Sequence, residues 1–348
     1  MFSIGIDIGG TFTDFCVYRR DTGQVSVHKS LTTPDAPERA VMEGLEFLYG
    51  RSGLEARDAR RLVHATTLVT NAILERKGAK TALITTRGFR DVLETGLEMR
   101  YNVYDLFLEY PEPIVPRWLR FGLDERLYPD GAVRTPLDEA DLERIVAQIE
   151  GEGISAVAVC LIHAYSNPEH EIRVGDYIRK RLPGIHISLS HEVSPQPREY
   201  ERTSTTVLDA YVKPTVARYL DELGAGLASK SAGAPLQIML SNGGTTTTEV
   251  AQKYPIQMIE SGPAAGVEAA IWVCRQHGIS DALSFDMGGT TAKLCVLREG
   301  RAARSRSFEA GRVHRFVPGS GMPVVVPVYD LVEIGAGGGS IARIDGLG

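Results

Sequence analysis

The sequence predicts a two-lobed α/β protein that grips a polyphosphate between its lobes, and three observations carry that prediction. The core D-x-G-G-T occurs twice, as Asp7-Ile8-Gly9-Gly10-Thr11 and as Asp286-Met287-Gly288-Gly289-Thr290. Each copy ends one apolar run and precedes another, which reads as a strand, a tight turn and a returning strand. Strands and helices alternate through most of the chain, arguing for α/β layers rather than a bundle or sandwich. A glycine run, Gly335-Ala336-Gly337-Gly338-Gly339, follows the second copy.

The chemistry of the repeated turn is specific. Glycine lets the backbone take positive φ and approach a ligand closely, and successive turn N–H groups form an anion nest. Threonine hydroxyls add donors. An aspartate is a hard oxygen ligand suited to Mg²⁺ and its waters. Two such hairpins facing each other read as an ATP site. The glycine run fails the dinucleotide fingerprint, because Ser340 stands at the third glycine position, and the chain has no Walker A sequence. Beside the hairpins it reads as close backbone approach to the nucleotide.

Composition narrows the alternatives. The 348 residues suffice for two lobes, and 43% hydrophobic with 24% charged is ordinary for a globular protein. A formal net charge of −6 argues against general nucleic-acid binding. Cys16, Cys160, Cys274 and Cys295 lie far apart with no CxxC or Cys/His cluster, so structural zinc and a disulfide framework are not expected. They read as four reduced thiols in the core. The first residues form no basic leader and no apolar run is long enough for a membrane span, so a cytoplasmic protein is expected.

In order along the chain, strands are expected at 3–8, 12–19 and 25–30, a helix at 36–49 and a short strand at 61–64. A helix then covers 70–76, ending near Gly78, and 81–85 is the next strand. Residues 98–136 are rich in Tyr, Pro and Arg and read as an inserted loop that covers or lines a cleft. Regular structure resumes with helices at 137–150 and 168–180 and strands at 156–160 and 186–190. A helix follows from 198, continuing past Pro214 to 227. One domain is drawn at 1–195 and a second at 196–348, the latter opening on a strand at 236–240. Ser261-Gly262-Pro263 reads as an N-cap for a helix at 264–276. Strands dominate afterwards, so the second lobe is expected to be incomplete and the chain a fragment.

Lesser features have plain structural readings. Thr66, Thr67 and Asn71 position a ligand or cap a helix; His64 and His163 end apolar strands as core histidines. Ser261 is a cap rather than a nucleophile, Cys160 and Cys274 lack a nearby base, and Glu199, Glu201 and Arg202 form a solvated charged cluster.

With these residues in view, the chain resembles the A-type subunit of the hydantoinase/oxoprolinase family. The likeness runs in order through GIDIGGTFTD (5–14), HATTLVTNAILER (64–76), GFRDVL (88–93), YDLF (104–107) and REYERTST (198–205). It continues through SNGG (241–244), ESGPAAG (260–266), DMGGTT (286–291) and IGAGGGSIA (334–342). The resemblance implies an actin-like, ribonuclease-H-like ATPase fold. It implies an ATP-dependent amidohydrolase subunit that opens a hydantoin, 5-oxoproline or related lactam by phosphoryl activation of the carbonyl oxygen. An acetone- or acetophenone-type ketone carboxylase subunit is the alternative, and a non-catalytic nucleotide-binding fragment a third. By position, Asp7 and Asp286 would hold Mg²⁺ and either could orient a nucleophile. Gly9, Gly10, Thr11, Thr13, Gly288, Gly289, Thr290 and Thr291 would hold phosphates. Gly335, Gly337, Gly338 and Gly339 would pack near the adenosine. A B-type partner subunit and an oligomer are also implied. The resemblance departs at Leu97 and Tyr101, where many members carry Arg and Pro, which bears on the substrate class.

Overall fold

The computed structural model describes residues 1–33, 36–51, 54–230, 234–288, 291–314, 317–341 and 343. The N-terminal hairpin forms because Phe2, Ile4, Ile6 and Ile8 alternate with smaller or polar residues, the period of a half-buried strand. Strand Phe2–Ile8 pairs antiparallel with Phe12–Arg19, which pairs in turn with Val25–Leu31. On its other edge Phe2–Ile8 runs parallel to Ala59–Thr66. Leu236–Met239, expected to open the second lobe, instead joins this sheet parallel to Ala59–Thr66 and is followed by the short strand Thr245–Thr246. Its apolar residues finish the sheet's core, Ile238 being fully buried there. Sequence order could not show that pairing.

A second sheet is wholly parallel, in the order His186–Leu189, Ala156–Cys160, Thr81–Thr86, Arg120–Leu123. The last of these lies inside the stretch expected to be irregular loop. Arg-Phe-Gly-Leu carries no strand-like alternation. Arg120 is buried because its guanidinium meets Glu94 and the Val115 carbonyl. Around it the stretch 98–136 does run mainly as turns and irregular chain.

Helix Glu199–Lys230 joins the two sheets and accommodates Pro214 in its interior. Leu208, Val212, Val216 and Leu220 enter the large core under the first sheet, while Val207 and Ala210 pack on the second. A helix apolar on several sides is a buried one. Arg202, expected to be solvated, is fully buried: its guanidinium donates to Ser190 Oγ (2.8 Å) and the Leu161 carbonyl (2.8 Å). Ser190 in turn donates to the buried Glu171 carboxylate at 2.6 Å. Buried charge survives here because the guanidinium's two terminal nitrogens and the carboxylate are hydrogen-bonded, although Arg202 Nε has no partner among the described residues.

The third sheet holds the second hairpin, Ala282–Met287 with Ala292–Arg298, flanked by Arg301–Ala302 and Val332–Ile334. Helix Ser261–Gln276 packs on it through Val267, Ile271 and Cys274 against Cys295, Leu297 and Tyr329. Leu283, Phe285, Met287 and Val296 are exposed. Cys160, Cys274 and Cys295 are buried as expected, but Cys16 is exposed, since it falls on the strand face opposite Phe15 and Val17. No described helix is long and apolar enough to cross a membrane.

Helix Pro37–Arg51 covers the first hairpin so closely that Gly44 has no room for a side chain. A Cβ there would lie 2.1 Å from the Phe15 ring. Gly44→Ala is therefore expected to destabilise the fold by about 1–3 kcal/mol through overpacking, despite alanine's better helix propensity. Urea denaturation checks this, and a variant as stable as wild type would contradict the packing.

Candidate functional site

The two D-x-G-G-T turns close in the same way. Gly9 N–H donates to the Phe12 carbonyl at 2.9 Å, and Gly288 N–H donates to the Thr291 carbonyl at 2.9 Å. The registers also correspond: Asp7 lies opposite Asp14 in one hairpin, and Asp286 opposite Lys293 in the other. The sequence repeat is thus a structural repeat, down to the hydrogen bond that shuts each turn. Gly289 and Thr290 lie outside the described residues.

Period-two alternation decides which way the acids face. Ile6 and Ile8 point into the core, so Asp7 between them faces the opposite side, toward the start of helix Ser261–Gln276. Gly262 makes room for it: a Cβ on Gly262 would come within 3.0 Å of Asp7 Oδ1. Among the described residues that oxygen is buried without a hydrogen-bond partner. Burial, with the nearby charges of Asp14 and Asp286, pushes the Asp7 carboxyl up to about 6, while Lys29 and Lys293 pull the other way. Carboxylates from both hairpins therefore share one electrostatic environment, although their sequence positions are far apart.

The surroundings hold that arrangement. Ser261 Oγ accepts from Thr66 N–H (3.1 Å) and donates to the Thr66 carbonyl (3.0 Å), locking the helix start onto the first sheet. Ser261 is thus fully committed and is not a free nucleophile. It is also the first helical residue, while the cap position belongs to Glu260, in the left-handed region at φ 59°. The Glu260 carboxylate accepts from Thr70 Oγ1 at 3.1 Å and is ion-paired to Lys293 of the second hairpin. Thr67, Asn71 and Thr66 serve the start of helix Leu68–Leu74: Asn71 donates to Thr67 Oγ1, and Leu68 N–H to Thr66 Oγ1, each at 3.1 Å.

The remaining expected residues divide by exposure. Gly10 and Thr11 are exposed at the tip of the first turn, and a Cβ on Gly10 would come within 3.9 Å of Asn71. Thr13 is fully buried with its hydroxyl on Thr32 at 3.0 Å, so its side chain faces the sheet interior rather than the turn. The glycine run does meet the second hairpin: Gly338 N–H donates to the Gly288 carbonyl at 3.1 Å, and Gly337 N–H to Ser340 Oγ at 3.0 Å. Gly335, Gly338 and Gly339 are exposed beside it. His64 is a core histidine, bonded to the Tyr219 hydroxyl at 2.7 Å and held down to about 4 by burial. His163 takes φ 62° and contacts Tyr165 instead.

Asp14, Glu260 and Lys293 escaped notice in the sequence. Asp14 had a signal, because a four-residue turn places it directly opposite Asp7. Glu260 and Lys293 had none, since their pairing depends on how the helix and the second hairpin pack.

An orphaned, desolvated carboxylate beside a second carboxylate fits a hard divalent cation. Among the described residues no three His, Cys, Asp or Glu side chains cluster for a metal. Mg²⁺ does not need such a cage, since it is commonly held by one or two carboxylates, phosphates and waters.

Comparison with known proteins gives a consistent result. The family description "Hydantoinase/oxoprolinase N-terminal region" matches residues 3–182, and "Hydantoinase/oxoprolinase" matches 202–348. The chain is 38% identical to an uncharacterized protein of Methanocaldococcus jannaschii, over 99% of this chain and 51% of that protein. It is 34% identical to the caprolactamase subunit alpha of Pseudomonas jessenii, over 100% of this chain and 49% of that one. Among solved structures, nucleotide-free acetone carboxylase superposes with a TM-score of 0.85 at 25% identity, over 99% of this chain and 49% of that one. The chain thus spans about half the length of these relatives.

Proposed function

The chain belongs to the hydantoinase/oxoprolinase family, and from that premise we propose that it is the nucleotide-binding part of an ATP-dependent amidohydrolase subunit acting on a cyclic amide. The observation that carries this reading is the pair of identically closed hairpins with the Asp7 carboxylate left unsatisfied between them. Gly9, Gly10, Thr11, Gly288 and Thr291, with Gly289 and Thr290, would offer N–H and hydroxyl donors to phosphates. Gly335, Gly337, Gly338 and Gly339 would adjoin the adenosine. Asp7 and Asp286 would hold Mg²⁺. The actin-like label for the fold belongs to the same proposal, as do a cytoplasmic location and a B-type partner subunit.

An amide carbonyl is a poor electrophile. ATP would supply a phosphoryl group to its oxygen, making a leaving group and opening the carbon to water. What the protein must add is positioning and charge neutralisation. Lys293 and Lys29 supply positive charge near Asp7, and the Ser261–Thr66 clamp fixes the helix start against it. A ketone carboxylase subunit would use the same activation on a ketone oxygen. The similarity to both the caprolactamase subunit and acetone carboxylase is consistent with either reading.

Calorimetric titration with Mg²⁺ and a non-hydrolysable ATP analogue tests the site, followed by ATP hydrolysis with the partner subunit present. Binding weakened by both Asp7→Ala and Asp286→Ala, with lactam-dependent turnover, is the expected result. Turnover requiring a ketone and bicarbonate would replace the amide by the carboxylase reading. Binding without turnover under either condition would leave a nucleotide-binding module.

A further inference from the structure

A second cavity, of about 510 Å³, lies away from the hairpins between helix Glu199–Lys230, the segments 93–101 and 110–114, and the chain at 318–323. Its size is that of a small-molecule site. Helix Leu68–Leu74 separates it from the phosphate turns. Thr70 on that helix reaches Glu260, whereas Leu74 approaches Gly311, itself in contact with the cavity-lining Met322. Seven helical residues span roughly 10 Å, so the cavity stands beside the reaction centre and not within it.

The walls define the ligand. Tyr200, Ser204, Val207 and Leu208 share one helix face and line the cavity. The hydroxyls of Tyr101 and Tyr110 are already used, on the carbonyls of Glu109 and Met99. Those of Tyr200 and Ser204 make no hydrogen bond within the described residues, which leaves two donors one helical turn apart beside the apolar side chains of Val207 and Leu208. Burial, with Glu201, Glu309 and Tyr110 nearby, pushes the Tyr200 phenol up to about 12, so it keeps its proton. Charge disfavours anions. Among the described lining residues Arg100 is the one cation, and its guanidinium donates to the Asp105 carbonyl. Of the lining carboxylates Glu94 is paired with Arg120 and Glu309 with Arg312, whereas Glu98 and Glu112 add negative charge.

We propose that this cavity binds a small neutral molecule, apolar except for a carbonyl oxygen that accepts from the Tyr200 and Ser204 hydroxyls. Lactams and ketones share that chemistry; an acid such as 5-oxoproline does not. Identifying the bound molecule with the substrate rests on the ATP-dependent reading above, but the binding itself does not.

The test is direct binding to the whole chain without nucleotide, by saturation-transfer NMR and calorimetry, using ε-caprolactam, acetophenone and 5-oxoproline as probes. Saturable binding of either neutral probe is expected, with 5-oxoproline at least about tenfold weaker, and which neutral probe binds better assigns the source. Tyr200→Phe and Ser204→Ala should each weaken that binding about threefold to tenfold, with circular dichroism unchanged. No binding of either neutral probe to folded wild-type chain overturns the proposal. So does equal binding by the Tyr200→Phe/Ser204→Ala double variant, or 5-oxoproline binding as tightly as the lactam. Titrating the ATP analogue into the same samples keeps the two readings apart, because loss of nucleotide binding would leave the cavity result standing.

Discussion

Asp7→Asn should make the free chain more stable while removing its affinity for magnesium nucleotide. The Asp7 carboxylate is desolvated, has one buried oxygen without a partner among the described residues, and feels Asp14 and Asp286. Its folded-state value of about 6 stands above the usual 3.8. Between those values the folded chain retains a proton that the unfolded chain has released. Stability from this group is therefore full below about pH 4 and is lost as pH rises through 6. The difference amounts to about 3 kcal/mol, or roughly 4 °C in melting temperature for a chain of this size. Asparagine cannot ionise, so the variant should lack this decline between pH 4 and 7, and should melt above wild type at pH 7. Its affinity for a magnesium ATP analogue should fall about 100-fold, the loss of one or two charge-assisted contacts. Metal-dependent binding by wild type should itself strengthen as pH rises through 6, because the cation needs the ionised acid. Melting curves across that range decide the matter: a variant that melts below wild type at pH 7 would show that Asp7 is satisfied after all.

Lys293→Met is the second substitution with a large expected effect, here against stability. Lys293 and Glu260 are both largely buried, and they join the second hairpin to the start of helix Ser261–Gln276. Removing one partner strands the other's charge in a poorly solvated place, which costs about 3–5 kcal/mol in such settings. Among the described residues the Glu260 carboxylate would keep the Thr70 hydroxyl. The double variant Glu260→Gln/Lys293→Met removes both charges and should recover most of that loss. The same lysine lowers the Asp7 carboxyl, so Lys293→Met should also move the Asp7 titration upward, visible by carboxyl-selective NMR. Additive single and double variants in a denaturation cycle would show that the pair is not coupled.

Much of this molecule could be read along the chain, and the reason is local. The strand at the N-terminus, its tight turn and its return follow from apolar alternation and two glycines, interactions that close within a dozen residues. The second hairpin repeats them, so both glycine turns and their acids are legible in the sequence. The helices at 37–51, 139–151 and 169–181 also carry their own periodicity and end signals. Asp138 caps the second of these with bonds to Ala140 and Asp141 N–H.

Long-range partners were not legible. Leu236–Met239 is an ordinary apolar strand in sequence, and nothing in its residues says that its neighbour is Ala59–Thr66. Arg202 looks like a surface charge until Leu161 and Ser190 are brought to it. Thr13 and Thr11 are two residues apart in one motif, yet Thr13 lies in the strand on the buried face of Phe15 and Val17, whereas Thr11 lies in the exposed turn before it. Residue type and spacing thus established which chemical groups the chain possesses and where its turns close. The three-dimensional packing settled which of them are desolvated, paired or left unsatisfied. The proton affinity of Asp7 is set by burial, by Asp14 across its own hairpin, and by Asp286 and Lys293 far along the chain, and no local pattern encodes the burial or the distant pair.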